Sequence, residues 1–306
     1  MHLIIPASLP PASIAADLLP HVQAHCPALV RIMERLAAQS IEHAPEESGC
    51  TAQEFLELVQ HGYTGHHGHT FGAGLAAWRA GMTQATEPVW IADLCSVAIG
   101  REGAQLAIPE SIQLEPHEAD ALFEAAHSLW TDSAISVLPL EPGRWRVWLP
   151  AGAQLNSISP AAVSTLAIAD WWPQHESLKI WRKLLNEVQM LWHEHPVNTQ
   201  RLERGLNPIN SLWIYGGSPG WKPAPPSPEP VYYDALTAAF LQGDWSQWIA
   251  QLPKLSTYLD ALPLEASLTL LGERKIVELH HIKRRWWQYF SPASQQKWTH
   301  WWTHQK

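Results

Sequence analysis

The sequence predicts a mixed α/β protein with a central sheet, a β-hairpin, helix, β-hairpin module and a helix-rich C-terminal part. Helical spacing of apolar residues over 13–38 predicts helices, and paired apolar runs around short turns within 88–150 predict hairpins. A proline-rich stretch then interrupts the pattern. We therefore predict a mixed α/β main domain over 1–217, a linker over 218–230, and a mainly helical part over 231–306 packing on that domain.

Composition narrows the classes of function. The chain has 306 residues and a net charge of −9, which argues against a general nucleic-acid binder. Its 3 cysteines form no CxxC pair, which indicates reduced thiols in a cytoplasmic protein. We see no basic, apolar leader and no apolar run of about 20 residues that could span a membrane. The 18 tryptophans mark an unusually tryptophan-rich core.

The N-terminal region begins with a predicted strand at 3–5, ended by Pro6. Two helices are expected over 13–38, separated at Pro20 and Pro27 because proline cannot donate the helical hydrogen bond. Residues 42–49 are predicted to be a polar connector. Thr51 and Glu54 have the spacing of a capping box at the start of the next helix.

A glycine-rich loop at 61–69 contains four histidines. Imidazoles of His66, His67 and His69 could ligate a metal ion. However, they lack i, i+4 spacing, and no cysteine or carboxylate nearby completes a donor set. The other interpretation is a flexible loop whose imidazoles pack or hydrogen-bond locally, and we predict no metal site.

Residues 88–150 form the predicted module. Apolar runs at 89–99 and 104–108 form the first hairpin, and runs at 135–138 and 144–149 form the second. Between them, Pro116 opens a helix whose N-terminal end favours the negative charge of Glu118. Alternation in the last strand predicts a half-buried strand with a basic face.

The most specific run of the chain is 184–217. A helix with one apolar stripe ends at Pro196, a short helix follows over 198–203, and Gly205 ends it. A strand over 211–215 then breaks at Gly216 and Gly217. The stripe consists of Trp181, Leu184, Leu185, Val188, Leu191 and Trp192.

The C-terminal part is predicted to contain helices over 233–241 and 245–252, the second capped by Asp244, and a strand over 267–271. A basic and aromatic run follows over 283–302. Such a run could contact a single-stranded nucleic acid or an anionic membrane. The alternative, which the acidic net charge favours, is an amphipathic terminal helix that docks on the core.

One pattern in the specific run resembles a known family. The pattern HPVNxxRxxxGxxPxNSxWxxG resembles a segment of the archaeal-type cofactor-independent phosphoglycerate mutases. It comprises His195, Pro196, Val197, Asn198, Arg201, Gly205, Pro208, Asn210, Ser211, Trp213 and Gly216. With Asn186, Glu187, Gln189 and Met190, it is also similar to proteobacterial proteins labelled phosphoglycerate mutase or regulator of pathogenicity factors, type E, over most of the chain.

The resemblance implies chemistry that the rest of the sequence does not supply. Those mutases hold two divalent metals on Asp and His ligands and use a nucleophilic serine. Their first strand ends in a metal-binding aspartate, within a sequence like IPDG, where this chain has Ala7. Paired Asp/His motifs are not recognised in 218–306, and no catalytic residue, nucleophilic serine or cofactor is assigned.

The same segment could still bind an anion. Arg201 and Arg204 lie one helical turn apart and could hold a phosphate or carboxylate, with Asn198 and Asn210 orienting it. The competing interpretation is structural: the asparagines cap and satisfy backbone groups, and nearby glutamates pair the arginines.

The sequence thus predicts a non-catalytic or regulatory phosphoglycerate-mutase-like protein, a pseudoenzyme. We expect it to bind a protein partner or a small anionic metabolite. The alternative is an active cofactor-independent phosphoglycerate mutase. The two differ in whether a set of Asp and His metal ligands comes together.

Overall fold

The computed structural model describes residues 1–100, 103–107, 112–131, 133–281 and 298–303. By contacts the chain forms two compact units. We call Met1–Ala44 with Pro225–Lys306 the terminal unit, and Pro45–Ala224 the central unit. Each unit combines helices with one sheet, which confirms the mixed α/β class.

Strands and helices are labelled in chain order. The strands are β1 (His2–Leu9), β2 (Ala37–Glu42), β3 (Trp90–Gly100), β4 (Gly103–Ala107), β5 (Ser136–Glu141), β6 (Arg144–Trp148), β7 (Ser211–Gly216), β8 (Val231–Tyr232), β9 (Ser267–Gly272) and β10 (Lys275–His280). The helices are α1 (Ala12–His25), α2 (Pro27–Arg35), α3 (Pro45–Ser48), α4 (Ala52–Gln60), α5 (Gly74–Arg79), α6 (Pro116–Thr131), α7 (Pro160–Val163), α8 (Lys179–His193), α9 (Pro196–Glu203), α10 (Thr237–Leu241), α11 (Trp245–Asp260) and α12 (Trp298–Thr303).

The terminal unit is built on a sheet with strand order β2-β10-β9-β1-β8. β1 is parallel to both β8 and β9, so the first strand takes its partners from the C-terminal part of the chain. This pairing groups residues 1–44 with the C-terminal part, whereas the predicted division placed them with 45–217. β8 follows directly after the predicted linker 218–230 and joins the same sheet.

The central unit is organised around the long strand β3. Along its length β3 pairs antiparallel with β7, β6 and β4, and β5 adds to β6. Apolar clusters that include residues of this sheet also include helix residues, from α6 and α8 in one and from α4 and α5 in the other. The predicted hairpin, helix, hairpin module is therefore present, but the described residues form two sheets where a single central one was expected.

Several predicted boundaries were wrong for physical reasons. β1 continues past Pro6 to Leu9, and α1 continues past Pro20 to His25. The predicted polar connector begins inside β2, an exposed edge strand that pairs with β10. Edge strands can be polar, because only one of their sides is hydrogen-bonded and little of their surface is buried, so periodicity does not reveal them.

The predicted basic face of β6 was also wrong for Arg146, whose guanidinium is fully buried. It donates to the carbonyl oxygens of Trp90 at 3.0 Å, Val147 at 2.7 Å and Pro88 at 3.1 Å. The guanidinium carbon Cζ of Arg146 also lies 4.7 Å from the centroid of the Trp148 ring. A charged side chain is tolerated in such a place because backbone oxygens replace its water.

The end of the chain is described only in part. Trp298, Trp301 and Trp302 of α12 are buried in the core of the terminal unit. The predicted basic run Lys283 to Phe290 lies outside the described residues. In the described part of the chain, no helix is both long and apolar enough to cross a membrane.

Candidate functional site

The segment that resembles the mutases folds as α8, α9 and β7. The apolar stripe of α8 is buried except for Leu191, which remains 39% exposed. Pro196 occupies the first turn of α9, where its missing N–H costs nothing. The cap of α9 is His195, whose Nδ1 accepts from the Val197 amide at 3.3 Å. The expectation that Asn198 caps this helix was wrong, since Asn198 lies inside α9.

Asn198 instead joins two parts of the segment. Its side-chain nitrogen donates to the carbonyl oxygens of Trp192 at 2.8 Å and Ile209 at 2.7 Å. Its side-chain oxygen accepts from the Ile209 amide at 2.7 Å. The residue is 1% exposed, so the amide is committed to holding the end of α8 and the approach to β7 together.

Asn210 performs a similar task on β3. Its side chain donates to the Val97 carbonyl at 2.9 Å and accepts from the Val97 amide at 2.7 Å. The β7–β3 ladder ends at the Ser211–Cys95 pair. The side-chain amide therefore acts like one more peptide group and extends the ladder by one step.

Replacing Asn210 by alanine should destabilise the protein by about 1–3 kcal/mol, because both polar groups of Val97 lose their partners. Asn207→Ala is the matched control: Asn207 lies in the same loop, is exposed, and its side chain bonds no described residue. Denaturant unfolding of both variants measures the difference. Equal stability of the two variants would show that the Asn210 amide is not a structural link.

Arg201 and Arg204 converge on one carboxylate, that of Glu118 on α6. The guanidinium groups contact its Oε2 and Oε1, respectively. Arg201 also donates to the carbonyl oxygens of Asn207 at 2.9 Å and of Ile112. The side chain of Arg201 is 0% exposed and that of Glu118 only 3% exposed. The pair thus fastens α9 to the start of α6.

The electrostatics of Glu118 follow from these contacts. Burial alone would raise the pKa of the Glu118 carboxyl. The hydrogen bond from the Glu115 amide and the two guanidinium groups outweigh this effect, so the pKa lies below its usual value. Glu118 is therefore held ionised in the folded protein.

These contacts determine which of the predicted anion-binding side chains remain accessible to a ligand. Asn198 and Arg201 are buried and bonded within the protein, and both polar ends of the Asn210 side chain are bonded to Val97. Arg204 differs, since its side chain is 47% exposed. Glu118 pairs with both arginines, whereas the structural interpretation predicted glutamates nearby in the chain as their partners.

A second polar network lies within the central unit and was not predicted. Asp93 accepts from Arg144 Nε at 2.9 Å and from the Tyr215 hydroxyl at 3.2 Å. Arg79 donates to that hydroxyl at 3.2 Å and to Glu54 at 2.6 Å. Burial first, and then Asp93, raises the pKa of Tyr215, which stays a neutral donor. The capping box that was predicted for Thr51 and Glu54 is present. The contact of the other Glu54 carboxylate oxygen with Arg79 joins residues 25 positions apart, so no local sequence pattern indicated it.

The histidine-rich loop does not assemble a metal site. The rings of His66 and His69 lie 5.4 Å apart by their centroids, and both residues are exposed, as is His67. Across the described ranges, no group of three or more His, Cys, Asp and Glu side chains is placed to hold a metal ion. The local-packing interpretation fits this geometry.

The end of β1 is the position at which the resemblance implies a metal-binding aspartate. Ala7 has a φ of 57°, an uncommon left-handed conformation for a residue with a Cβ. Its carbonyl accepts from Trp248 Nε1 at 2.9 Å. The buried hydroxyl of Ser8 donates to the Ile5 carbonyl at 2.6 Å and accepts from the Leu271 amide at 3.2 Å. These residues do not fit a dinuclear metal centre.

Comparisons with known proteins place this geometry in context. No family model matches the chain. A 2,3-bisphosphoglycerate-independent phosphoglycerate mutase of Methanothrix thermoacetophila is 27% identical over 125 residues, which cover 37% of this chain and 31% of that protein. A probable mutase of the same type from Geobacter sulfurreducens is 30% identical over 70 residues, 23% of this chain and 18% of that protein. The match thus spans a third or less of these curated relatives.

Two solved structures are similar over most of the chain but at low scores. The cofactor-independent phosphoglycerate mutase of Thermoplasma acidophilum has a TM-score of 0.34 and 12% identity, covering 92% of this chain and 90% of its own. The PH0037 protein of Pyrococcus horikoshii has a TM-score of 0.41 and 13% identity, covering 91% and 86%. The distant similarity to 2,3-bisphosphoglycerate-independent phosphoglycerate mutases is that of the short sequence matches to the curated relatives. The predicted likeness to the proteobacterial group remains a prediction.

Proposed function

We propose that this chain is a phosphoglycerate-mutase-like protein that acts by binding, as a regulatory protein or pseudoenzyme, and not by catalysis. The observation that carries the proposal is the use of Asn198, Arg201 and Asn210. In the segment that resembles the mutases, these three side chains hold the fold together. These three residues of the shared pattern thus have structural roles, which supports the proposal.

The end of β1 supports the same proposal. In place of the carboxylate that the resemblance implies, Ala7 offers a methyl group, and its carbonyl is bonded to Trp248. The neighbouring hydroxyl of Ser8 is bonded on both sides within the terminal unit. Metal-assisted phosphoryl transfer needs a metal-binding carboxylate and a nucleophile that is free to react, and Ala7 and Ser8 supply neither at this position.

Two kinds of ligand fit a binding role. A small anionic metabolite could be held by Arg204, because the cluster of two arginines and one glutamate carries a net charge of +1 and only Arg204 is half exposed. A protein partner could be held by apolar side chains that α8 and α9 expose. Met190 is 77% exposed and Leu202 is 62% exposed, and exposed apolar groups favour contact with another protein.

Metal analysis of the purified protein, followed by titration calorimetry with 3-phosphoglycerate, tests the proposal. We expect no tightly bound, stoichiometric pair of manganese or zinc ions. If the anion binds, we expect Arg204→Ala to abolish binding, while Lys183→Ala, an exposed cation on α8, leaves it unchanged. Phosphate serves as the control ligand.

A metal pair that is lost on substitution of particular Asp or His residues would overturn the non-catalytic proposal. Binding that survives Arg204→Ala would place the anion elsewhere. If no anion binds, the protein-partner form of the proposal is favoured.

A further inference from the structure

A cleft of about 830 Å³ opens in the central unit beside the Gly216–Gly217 corner. Gly217 borders it, with a φ of 101°. A Cβ at this glycine would come within 2.4 Å of the Trp90 ring, so glycine allows the indole to pack directly against the backbone. The volume falls within the range of small-molecule sites, about 300–1,000 Å³.

Aromatic side chains border this cleft. Trp90 is 4% exposed, and Trp171 and Trp172 are half-buried. Trp172 packs edge-on against Trp213 with ring centroids 6.3 Å apart, which supports its position from behind. Indole rings offer flat apolar surface together with an N–H donor, and they suit ligands that have an apolar face and polar edges.

Amide side chains without a hydrogen-bond partner among the described residues border the same cleft. Gln154, Asn156 and Gln174 are exposed there, and none of their side chains bonds to another described residue. Each amide offers both a donor and an acceptor. Asp170 adds a carboxylate with no described partner. This combination can bond several hydroxyl groups of one ligand.

The charge of the cleft argues against a phosphorylated ligand. Its described lining contains neither lysine nor arginine. Burial, and then the neighbouring His66, lower the pKa of His69, so this imidazole is neutral at pH 7. The other histidine of the lining, His175, shares its Nδ1 with Ser177 Oγ at 2.8 Å. A phosphate or carboxylate would meet repulsion from Asp170 and no lysine or arginine.

The walls are held in place by contacts outside the binding surface. Arg182 donates to the carbonyl oxygens of Pro173 at 3.1 Å and His175 at 2.7 Å. The backbone N–H of Gln154 donates to Ser177 Oγ at 2.9 Å, which ties the loop before α7 to the turn before α8. A site formed before the ligand arrives loses less entropy on binding.

We propose that this cleft binds a neutral carbohydrate, a pyranose ring or short oligosaccharide, that stacks its C–H face on Trp172. Its hydroxyl groups bond Gln154, Asn156, Gln174 and Asp170. The inference rests on the cleft alone and goes beyond the proposed function. It stands whether or not an anion binds at Arg204.

Saturation-transfer NMR on the full chain tests the proposal. The probes are glucose, galactose, mannose, N-acetylglucosamine and their α- and β-1,4-linked disaccharides. We expect transfer to the ring protons of at least one of these sugars. Trp172→Ala should weaken that sugar's affinity by about tenfold, and Asn156→Ala with Gln174→Ala should do so without changing the melting temperature, because neither amide is bonded in the fold.

Two variants control for unspecific effects. Trp245→Ala removes a half-buried indole of the terminal unit, and Arg204→Ala removes the proposed anion contact; both should leave sugar binding unchanged. Absence of transfer to every sugar of the panel would overturn the proposal. So would binding that survives the amide double variant, or binding of adenosine or tetramethylammonium, lost in Trp172→Ala, without binding of any sugar.

Discussion

Replacing Glu118 by alanine should lower the free energy of unfolding by about 3–5 kcal/mol, the cost of breaking a buried ion pair by removing one partner. Arg201 would keep its buried guanidinium with only backbone carbonyls for partners. Arg204 loses less, because its side chain is 47% exposed and water can replace the carboxylate. Denaturant unfolding of the variant measures the loss.

Glu187→Ala provides the matched control, since it also removes a helical glutamate from an ion pair. Oε1 of Glu187 lies 3.6 Å from Nζ of Lys183. The Glu187 side chain is 42% exposed and the Lys183 side chain is 79% exposed. An exposed i, i+4 pair contributes only about 0.3–0.5 kcal/mol. Similar losses in the two variants would contradict the assignment of Glu118 as a buried link between α6 and α9.

The same carboxylate predicts an acid dependence. Because the pKa of Glu118 is lower in the folded than in the unfolded chain, its contribution is fully present above the unfolded value of about 4.3. It is lost as the pH falls through the folded value. The stability difference between the wild type and Glu118→Gln should therefore shrink from about pH 7 to about pH 3. A constant difference would show that Glu118 titrates normally.

The second large effect is expected for Asn198→Ala, at about 3 kcal/mol, because the carbonyl oxygens of Trp192 and Ile209 and the Ile209 amide lose their side-chain partner inside the protein. Asn186→Ala is the control, since Asn186 is also helical but exposed. That change should be neutral or stabilise slightly, because alanine favours helices. A small loss at Asn198, equal to that at Asn186, would mean that water satisfies these backbone groups.

Local patterns predicted much of the fold. The capping box at Thr51, the stripe of α8 and the two hairpins follow from spacings of a few residues, and the structure contains each of them. Pairings between distant parts of the chain were beyond such reasoning. β10 was missed because it lies between β9 and β2 with consecutive residues buried, so 275–280 lack an alternating apolar pattern.

The candidate site shows the same limit. The sequence marked Asn198, Arg201 and Asn210 as special, but it could not distinguish a ligand contact from a structural one. Their partners Glu118 and Val97 lie 83 and 113 residues away from Arg201 and Asn210, respectively. A glutamate in the first turn of a helix is usual on electrostatic grounds, so nothing in the local sequence revealed the second role of Glu118.

The most direct test of binding without catalysis is a phosphorus NMR assay of the interconversion of 3-phosphoglycerate and 2-phosphoglycerate. The purified full chain is assayed with added manganese, beside an active cofactor-independent mutase as positive control. We expect the chain to leave the substrate unchanged while the control reaches equilibrium. Saturable, metal-dependent turnover that copurifies with the chain would contradict it.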